Sequence, residues 1–313
     1  MTVPQAETLW FQHAGRLPDE ILRLATCSAN YVFLVREGAT RYILRAAPEN
    51  RAMLRGSVYW LGRLASFDLP IPRLLASHLE AETPHVVLSY LEGGDLGAAY
   101  GALTSSQKRS VAGDLWAVQR RVSALVGPGF GYLASLDDPG RKSSWKAVVQ
   151  AHLGRSRSWI RECRLFDERY VDRLEARLPE FDPYFAAVEP RAFFDDATTK
   201  NVLVSEGRFT GLVDLDWLCF GDRLYTIALT RMSLLEAGRD LDYIEYLCAE
   251  EGLTDDRRRL LSFYTLVFCA DFMGGLGKQF NQREKPVVTE EQKTRLIGLY
   301  RRLEEELARV PPF

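Results

Sequence analysis

FFDDATTKNVLVSEGRFTGLVDLDW, residues 193–217, is the stretch on which the fold turns. Two short apolar runs, Asn201 to Val204 and Phe209 to Val213, flank a turn at Ser205-Glu206-Gly207, which predicts a hairpin. Acids stand at both ends. Asp195 and Asp196 precede the first strand, and Asp214 and Asp216 close the second. Folding such a hairpin brings Asn201 and Asp214 together at one end. An amide oxygen beside a carboxylate is hard-oxygen chemistry. It suits Mg2+, which usually takes one or two protein oxygens and completes its octahedron with phosphate and water.

Towards the N-terminus the pattern is mostly β. NYVFLV and RYILRA, around Arg36 to Thr40, read as a second hairpin. Leu54, Val58, Leu61 and Leu64 then fall at helical spacing, Pro70 and Pro72 end that run, and HVVLSYL reads as a strand. After Gly94 the chain turns helical. Thr104 with Gln107, and Thr289 with Gln292, carry the spacing of capping boxes. Further helices are expected over about 144–163 and 168–178. The layout is α+β: a β-rich lobe over residues 1–91, then a mainly helical lobe over residues 92–313 with the small β insert in its middle. A cleft between two such lobes is the default ligand site.

Composition narrows the function classes. With 47% hydrophobic and 26% charged residues the chain is globular, and a net charge of −2 gives no broad field for nucleic acid or an acidic membrane. No apolar run is long enough to span a bilayer, and MTVPQAETLWFQHAG lacks the basic and apolar regions of a secretory leader, so a cytoplasmic protein is expected. Cys27, Cys163, Cys219, Cys248 and Cys269 show no CxxC spacing and read as reduced thiols.

Phosphoryl transfer asks for a carboxylate that orients the attacking hydroxyl and for ligands to the metal that neutralises developing charge. In kinases these share one loop in the pattern Asp-x-x-x-x-Asn. Asp196 and Asn201 have that spacing, and Asp195 does not. The segment resembles the His-Gly-Asp-Leu-His-x-x-Asn and Ile-Asp-Trp/Phe pattern of the aminoglycoside phosphotransferase and choline kinase family, small-molecule relatives of the protein kinases. Cys219-Phe220-Gly221-Asp222-Arg223 is similar to that family's Gly-Asp-Pro stretch, and Phe130-Gly131-Tyr132 to a recurring Phe-Gly element.

The resemblance implies a protein-kinase-like fold and a Mg2+-dependent enzyme. It would move the γ-phosphoryl group of ATP or GTP to a hydroxyl of a small molecule: an aminoglycoside, an amino alcohol or a sugar. It makes Asp196 the catalytic carboxylate and Asn201 and Asp214 the metal ligands. It sets Arg45 against the nucleotide phosphates, Ser28 and Asn30 at the loop that covers them, and the backbone of Ser89, Tyr90 and Leu91 against the base. Asp195 and Asp216 are candidate acceptor contacts.

Three departures stand against this. Phe194-Asp195 replaces the family's His-Gly, Thr226 stands where an aspartate is usual, and Ser57 occupies the place of the glutamate that would pair with Arg45. Asp195 either perturbs the pKa of its neighbour or points away to meet a cationic acceptor. Glu236, Asp240, Asp242, Glu245, Glu250 and Glu251 either line the cleft or form a solvated helix face. The departures keep a non-catalytic nucleotide-binding protein, and a metabolic sugar or amino-acid kinase, open as alternatives. Asp271-Phe272-Met273-Gly274 looks like the kinase DFG motif but lies within a helical pattern, and reads as core.

Overall fold

The computed structural model describes residues 1–24, 30–278 and 287–309. A five-stranded antiparallel sheet opens the fold, with Glu20–Leu24, Tyr31–Glu37, Thr40–Ala46, His85–Ser89 and Leu74–His78 in spatial order. Alternation decides its two faces. Val87 packs with Phe33, Val35 and Leu44 against Ala6, Leu9 and Trp10 of the helix Val3–Ala14. Val86 and Leu88 point to the other side, where the helix Arg51–Leu64 lies. That helix starts on the Asn50 side chain, which accepts from the Met53 N–H at 3.2 Å. It buries Met53, Leu54, Trp60, Leu61 and Leu64, each worth about 1.5–3 kcal/mol of transfer free energy. Its Leu54, Trp60, Leu61 and Leu64 belong to the same core as the helical region, and Trp60 Nε1 donates to the Leu133 carbonyl at 2.6 Å.

The two capping boxes form as expected, at Thr104 with Gln107 on the helix Ser105–Val122 and at Thr289 with Gln292 on Glu290–Arg309. Ser144 caps Trp145–Cys163. The hairpin of the decisive segment is shifted slightly from its expected bounds, to Val202–Ser205 and Arg208–Leu212. Asn201 does not begin the strand because its N–H closes a turn onto the Thr198 carbonyl at 3.0 Å. Glu206 and Gly207 make the two-residue turn with φ of 52° and 75°, the positive pair a tight hairpin of native twist requires.

Apart from Ala192–Phe193, whose apolar run reads as β, several short elements carry no signal strong enough to be read from sequence. Gly131–Leu133, Leu218–Phe220 and Ala192–Phe193 form a second small sheet, and Gly94–Asp95 adds to the hairpin. Each is only two or three residues long and exists by pairing with distant chain. The helix Val3–Ala14 was also unexpected, although Pro4 in its first turn and Gly15 at φ 72° after its end are ordinary helix boundaries. Of the cysteines, Cys219, Cys248 and Cys269 are buried free thiols and Cys163 is half-buried; Cys27 lies outside the described residues. Among the described residues no helix is long and apolar enough to cross a membrane.

Candidate active site

The strand Ala192–Phe193 delivers the chain into the loop Phe194 to Lys200. Gln119, fully buried on the helix Ser105–Val122, grips the loop's first residue on both sides. Its Oε1 accepts from the Phe194 N–H at 2.9 Å, and its Nε2 donates to the Phe194 carbonyl at 2.8 Å. Phe194 itself is buried in the core. The loop then turns back on itself, and Asn201 Nδ2 donates to the Asp196 backbone carbonyl at 2.8 Å. With its nitrogen committed there, the Asn201 amide turns its oxygen the other way. Thr198 Oγ1 donates to Asp196 Oδ1 at 3.0 Å, and Lys200 Nζ stands 3.2 Å from Oδ2, so both carboxylate oxygens are oriented from within the loop.

The far end of the hairpin comes to the same place. The Val213 N–H donates to the Asn201 carbonyl at 3.0 Å, which leaves Asp214 as the next residue beyond that bond. Asp214 adopts φ 66°, a left-handed conformation that costs a non-glycine residue about 1 kcal/mol. Arg45 reaches it from the N-terminal sheet. Its Nη2 donates to Asp214 Oδ1 at 2.8 Å and to Asp216 Oδ2 at 2.5 Å, while Nη1 meets Ser57 Oγ at 3.4 Å. The helix glutamate absent at Ser57 is thus replaced by two aspartates from the other side of the cleft.

Arg45 and Asp216 are both buried. Burial pushes the Asp216 carboxyl up, with the Arg45 guanidinium opposing and Asp214 reinforcing it. Gly56 lets this approach happen, since a Cβ there would sit 2.3 Å from the Asp216 carbonyl oxygen. Asp214, the Asn201 amide oxygen and Asp216, whose Oδ1 has no hydrogen-bond partner, are a hard-oxygen donor set that fits Mg2+. Among the described residues no group of three or more His, Cys, Asp or Glu side chains is preassembled for a metal, so such an ion would rely on non-protein ligands as well.

A cavity of about 370 Å3 opens beside Asp196. Asp195 lines it, and Asp216 does not. Asp216, expected as an acceptor contact, instead holds Arg45. Burial, reinforced by the Asp196 charge, pushes the Asp195 carboxyl up to about 7. The DFG-like Asp271 is indeed in a helix, Asp255–Gly275, but it also walls this cavity, as do Phe268 and Phe272. Its Oδ1 lies 2.9 Å from Arg155 Nη2 and 3.1 Å from His152 Nε2. Burial alone would raise Asp271, but His152 and Arg155 reverse that and hold it at about 2. Sequence reasoning missed Gln119, Arg155 and Asp271. Only Asp271 offered a signal: it lies between two aromatic residues, Phe268 and Phe272, set four apart on the same helix.

The remaining expectations fall as follows. Asn30 is buried, with Nδ2 3.9 Å from Met53 Sδ, so its side chain turns towards the helix Arg51–Leu64. Ser28 lies outside the described residues. The Ser89 N–H is already bonded to the Arg73 carbonyl at 2.9 Å, and Arg41 stacks on the Tyr90 ring at 4.3 Å. Leu91 packs close to Gly211 of the hairpin. A larger cavity, about 420 Å3, lies elsewhere, at Arg223, Arg257 and Glu251. Arg223 and Arg257 pair with Glu251, at 2.6 and 2.8 Å, a third lining arginine, Arg191, pairs with Glu189, and no carboxylate–amide pair faces the cavity, so size does not mark the reactive site.

A model of the APH family, described as the phosphotransferase enzyme family, matches residues 20–263. No curated protein matches the chain. Solved structures do. Aminoglycoside phosphotransferase APH(4)-Ia is 17% identical, with a TM-score of 0.68 over 96% of this chain and 99% of that one. A thermostable mutant of the same protein, in ternary complex with AMP-PNP and hygromycin B, is 18% identical, with a TM-score of 0.65 over 95% of this chain and 98% of that one. The GDP and kanamycin complex of APH(2″)-IIIa is 17% identical, with a TM-score of 0.69 over 96% and 99%. At this identity the likeness shows the protein-kinase-like fold.

Proposed function

The chain belongs to the phosphotransferase enzyme family, and from that premise we propose that it transfers the γ-phosphoryl group of ATP or GTP to a hydroxyl of a small molecule held beside Asp196. Residues 1–91 would form the nucleotide lobe and 92–313 the lobe carrying catalytic loop and acceptor, with the reaction in the cytoplasm, where both nucleotides are supplied. One observation supports the reading most. Asp196 lines a cavity, the Asn201 amide bonds back to the Asp196 carbonyl, and the Asn201 carbonyl receives the N–H of Val213, the residue before the Asp214 that Arg45 grips.

Asp196 orients the acceptor hydroxyl and receives its proton as the oxygen attacks phosphorus. A new O–P bond forms, the bond to the β-phosphate oxygen breaks, and the products are a phosphoester and ADP or GDP. Asn201 and Asp214 would hold Mg2+, with Asp216 next to them; bound there, the ion neutralises charge developing on the phosphates. Arg45 exchanges its aspartates for phosphate oxygens. The base meets backbone groups after the strand His85–Ser89, at Tyr90 and Leu91, because the Ser89 N–H is engaged and only its carbonyl is left to contribute. The nucleotides in the ternary and GDP complexes named above occupy relatives of this fold and support the same co-substrate here.

The test is turnover of Mg-ATP and Mg-GTP against a panel of hydroxyl acceptors, for the parent protein and Asp196→Asn. Equal turnover in the two proteins would overturn the role given to Asp196. A second reading, a non-catalytic nucleotide binder, draws on Arg45 being tied to both aspartates. Thermal stabilisation by Mg-ATP with no turnover of any acceptor would establish it instead.

A further inference from the structure

The acids that the sequence offered for a cationic acceptor are engaged elsewhere. Glu236 pairs with Arg295, Asp240 with Lys108, Glu245 with Arg258, Glu250 with Arg120, and Glu251 with two arginines. Neither these nor Asp242 wall the cavity beside Asp196. The carboxylates that do are Asp195, Asp196 and Asp271, and Arg155 and Lys200 stand among them. Lys200 faces Asp196, and Arg155 faces Asp271. The wall therefore carries one net negative charge at most, and none when Asp195 holds its proton. A polycation binds where carboxylates are in excess, and here they are nearly matched.

The rest of the wall is apolar. Leu229, Phe268, Phe272 and the Tyr132 ring offer a face on which a ring can stack. At about 370 Å3 the space is modest for a ligand site. Arg155 is the polar group best placed to read a ligand. Asp271 holds it through Nε at 3.3 Å and Nη2 at 2.9 Å, which fixes the guanidinium of a side chain that lines the cavity.

We propose that the acceptor is an uncharged hydroxylated ring compound with one apolar face, and not a polycation, its ring against Phe268, Phe272 and Leu229 and one of its oxygens received by Arg155. The identity of the attacked hydroxyl rests on the phosphotransferase reading. The charge and shape that select the ligand do not.

Calorimetric titration at low salt with phenyl β-glucoside, which is neutral and half aromatic, and with kanamycin tests this directly. The neutral probe is expected to bind at least about tenfold tighter. Arg155→Gln should weaken it about tenfold and leave kanamycin unchanged or tighter. Because Arg155→Gln also loosens Asp271, Phe272→Ala serves as a second variant, and it should weaken the glucoside alone. Tighter binding of kanamycin, with a steep loss on adding salt, would overturn the inference, as would failure of the glucoside to bind. Transfer from Mg-ATP is scored separately. Selective binding without transfer removes the proposed reaction and keeps the acceptor class, whereas transfer to kanamycin in preference keeps the reaction and removes the class.

Discussion

Two pairs of aspartates lie within residues 195–216, and the fold treats them oppositely. Asp214 and Asp216 share one guanidinium, Arg45, so the buried charge of Asp216 is opposed by a cation at 2.5 Å. Asp195 and Asp196 share none. Lys200 is exposed and pairs with Asp196, while burial and its neighbour's charge push the Asp195 carboxyl up to about 7. On the proposed reading the first pair is a locked station, which phosphate would open by offering Arg45 another partner. The second is adjustable in that Asp195 can change charge near neutral pH beside the carboxylate proposed to take the proton.

The largest effect expected is on the adjustable pair. Asp196→Asn should lower kcat about 10²- to 10⁴-fold with folding intact, measured by steady-state turnover and thermal melting. Next is the locked pair. Arg45→Met leaves Asp214 and Asp216 facing each other without a cation and should destabilise the protein by about 3 kcal/mol in urea unfolding. Adding Asp216→Asn should recover part of that loss. No recovery would mean that the aspartates are not what Arg45 stabilises.

Gln119 tests whether the adjustable pair depends on its mount. Gln119→Ala strands the Phe194 N–H and carbonyl in the core, at a cost of about 2 kcal/mol. It should lower kcat with little change in KM, because the loop that aims Asp196 is loosened. The smallest effect concerns Asp195. Its folded pKa lies above its unfolded one, so between about pH 4 and 7 the folded state holds the extra proton and stability falls as pH rises. Asp195→Asn removes that slope. Allowing for partial exposure, it should stabilise by about 1–2 kcal/mol at pH 8 and by nothing near pH 4, seen as a pH-dependent gap between two melting curves. Asp271 has the reverse sign. Its contribution is complete above its unfolded pKa and is lost as pH falls towards 2.

The hairpin, both capping boxes and the loop spacing were legible because each is local. Asn201 follows Asp196 closely enough for its amide to meet that residue's own carbonyl, and Thr104 with Gln107 needs only one helical turn. The partner of Arg45 was not legible. Sequence pointed to the helix position Ser57, where a glutamate is missing, and the structure supplies Asp214 and Asp216 from residues far along the chain. Asp271 was read correctly as helical and incorrectly as only core. Nothing near it in sequence reveals that Arg155 and His152 come from another helix to hold it at the cavity.

By itself the sequence determined the order of elements and the chemistry each residue type can offer, because apolar period, turn residues and loop spacing act over a few residues. Tertiary structure alone decided which charges meet. Arg45 meets Asp214 and Asp216 only because the fold sets the strand Thr40–Ala46 opposite the end of the hairpin. Asp195 is neutral or charged near pH 7 only because packing strips it of water beside Asp196, and Glu236, Asp240, Glu245, Glu250 and Glu251 pair with arginines or lysines away from the cavity those two aspartates line. Electrostatic energies follow distance and burial, and both are properties of the folded chain.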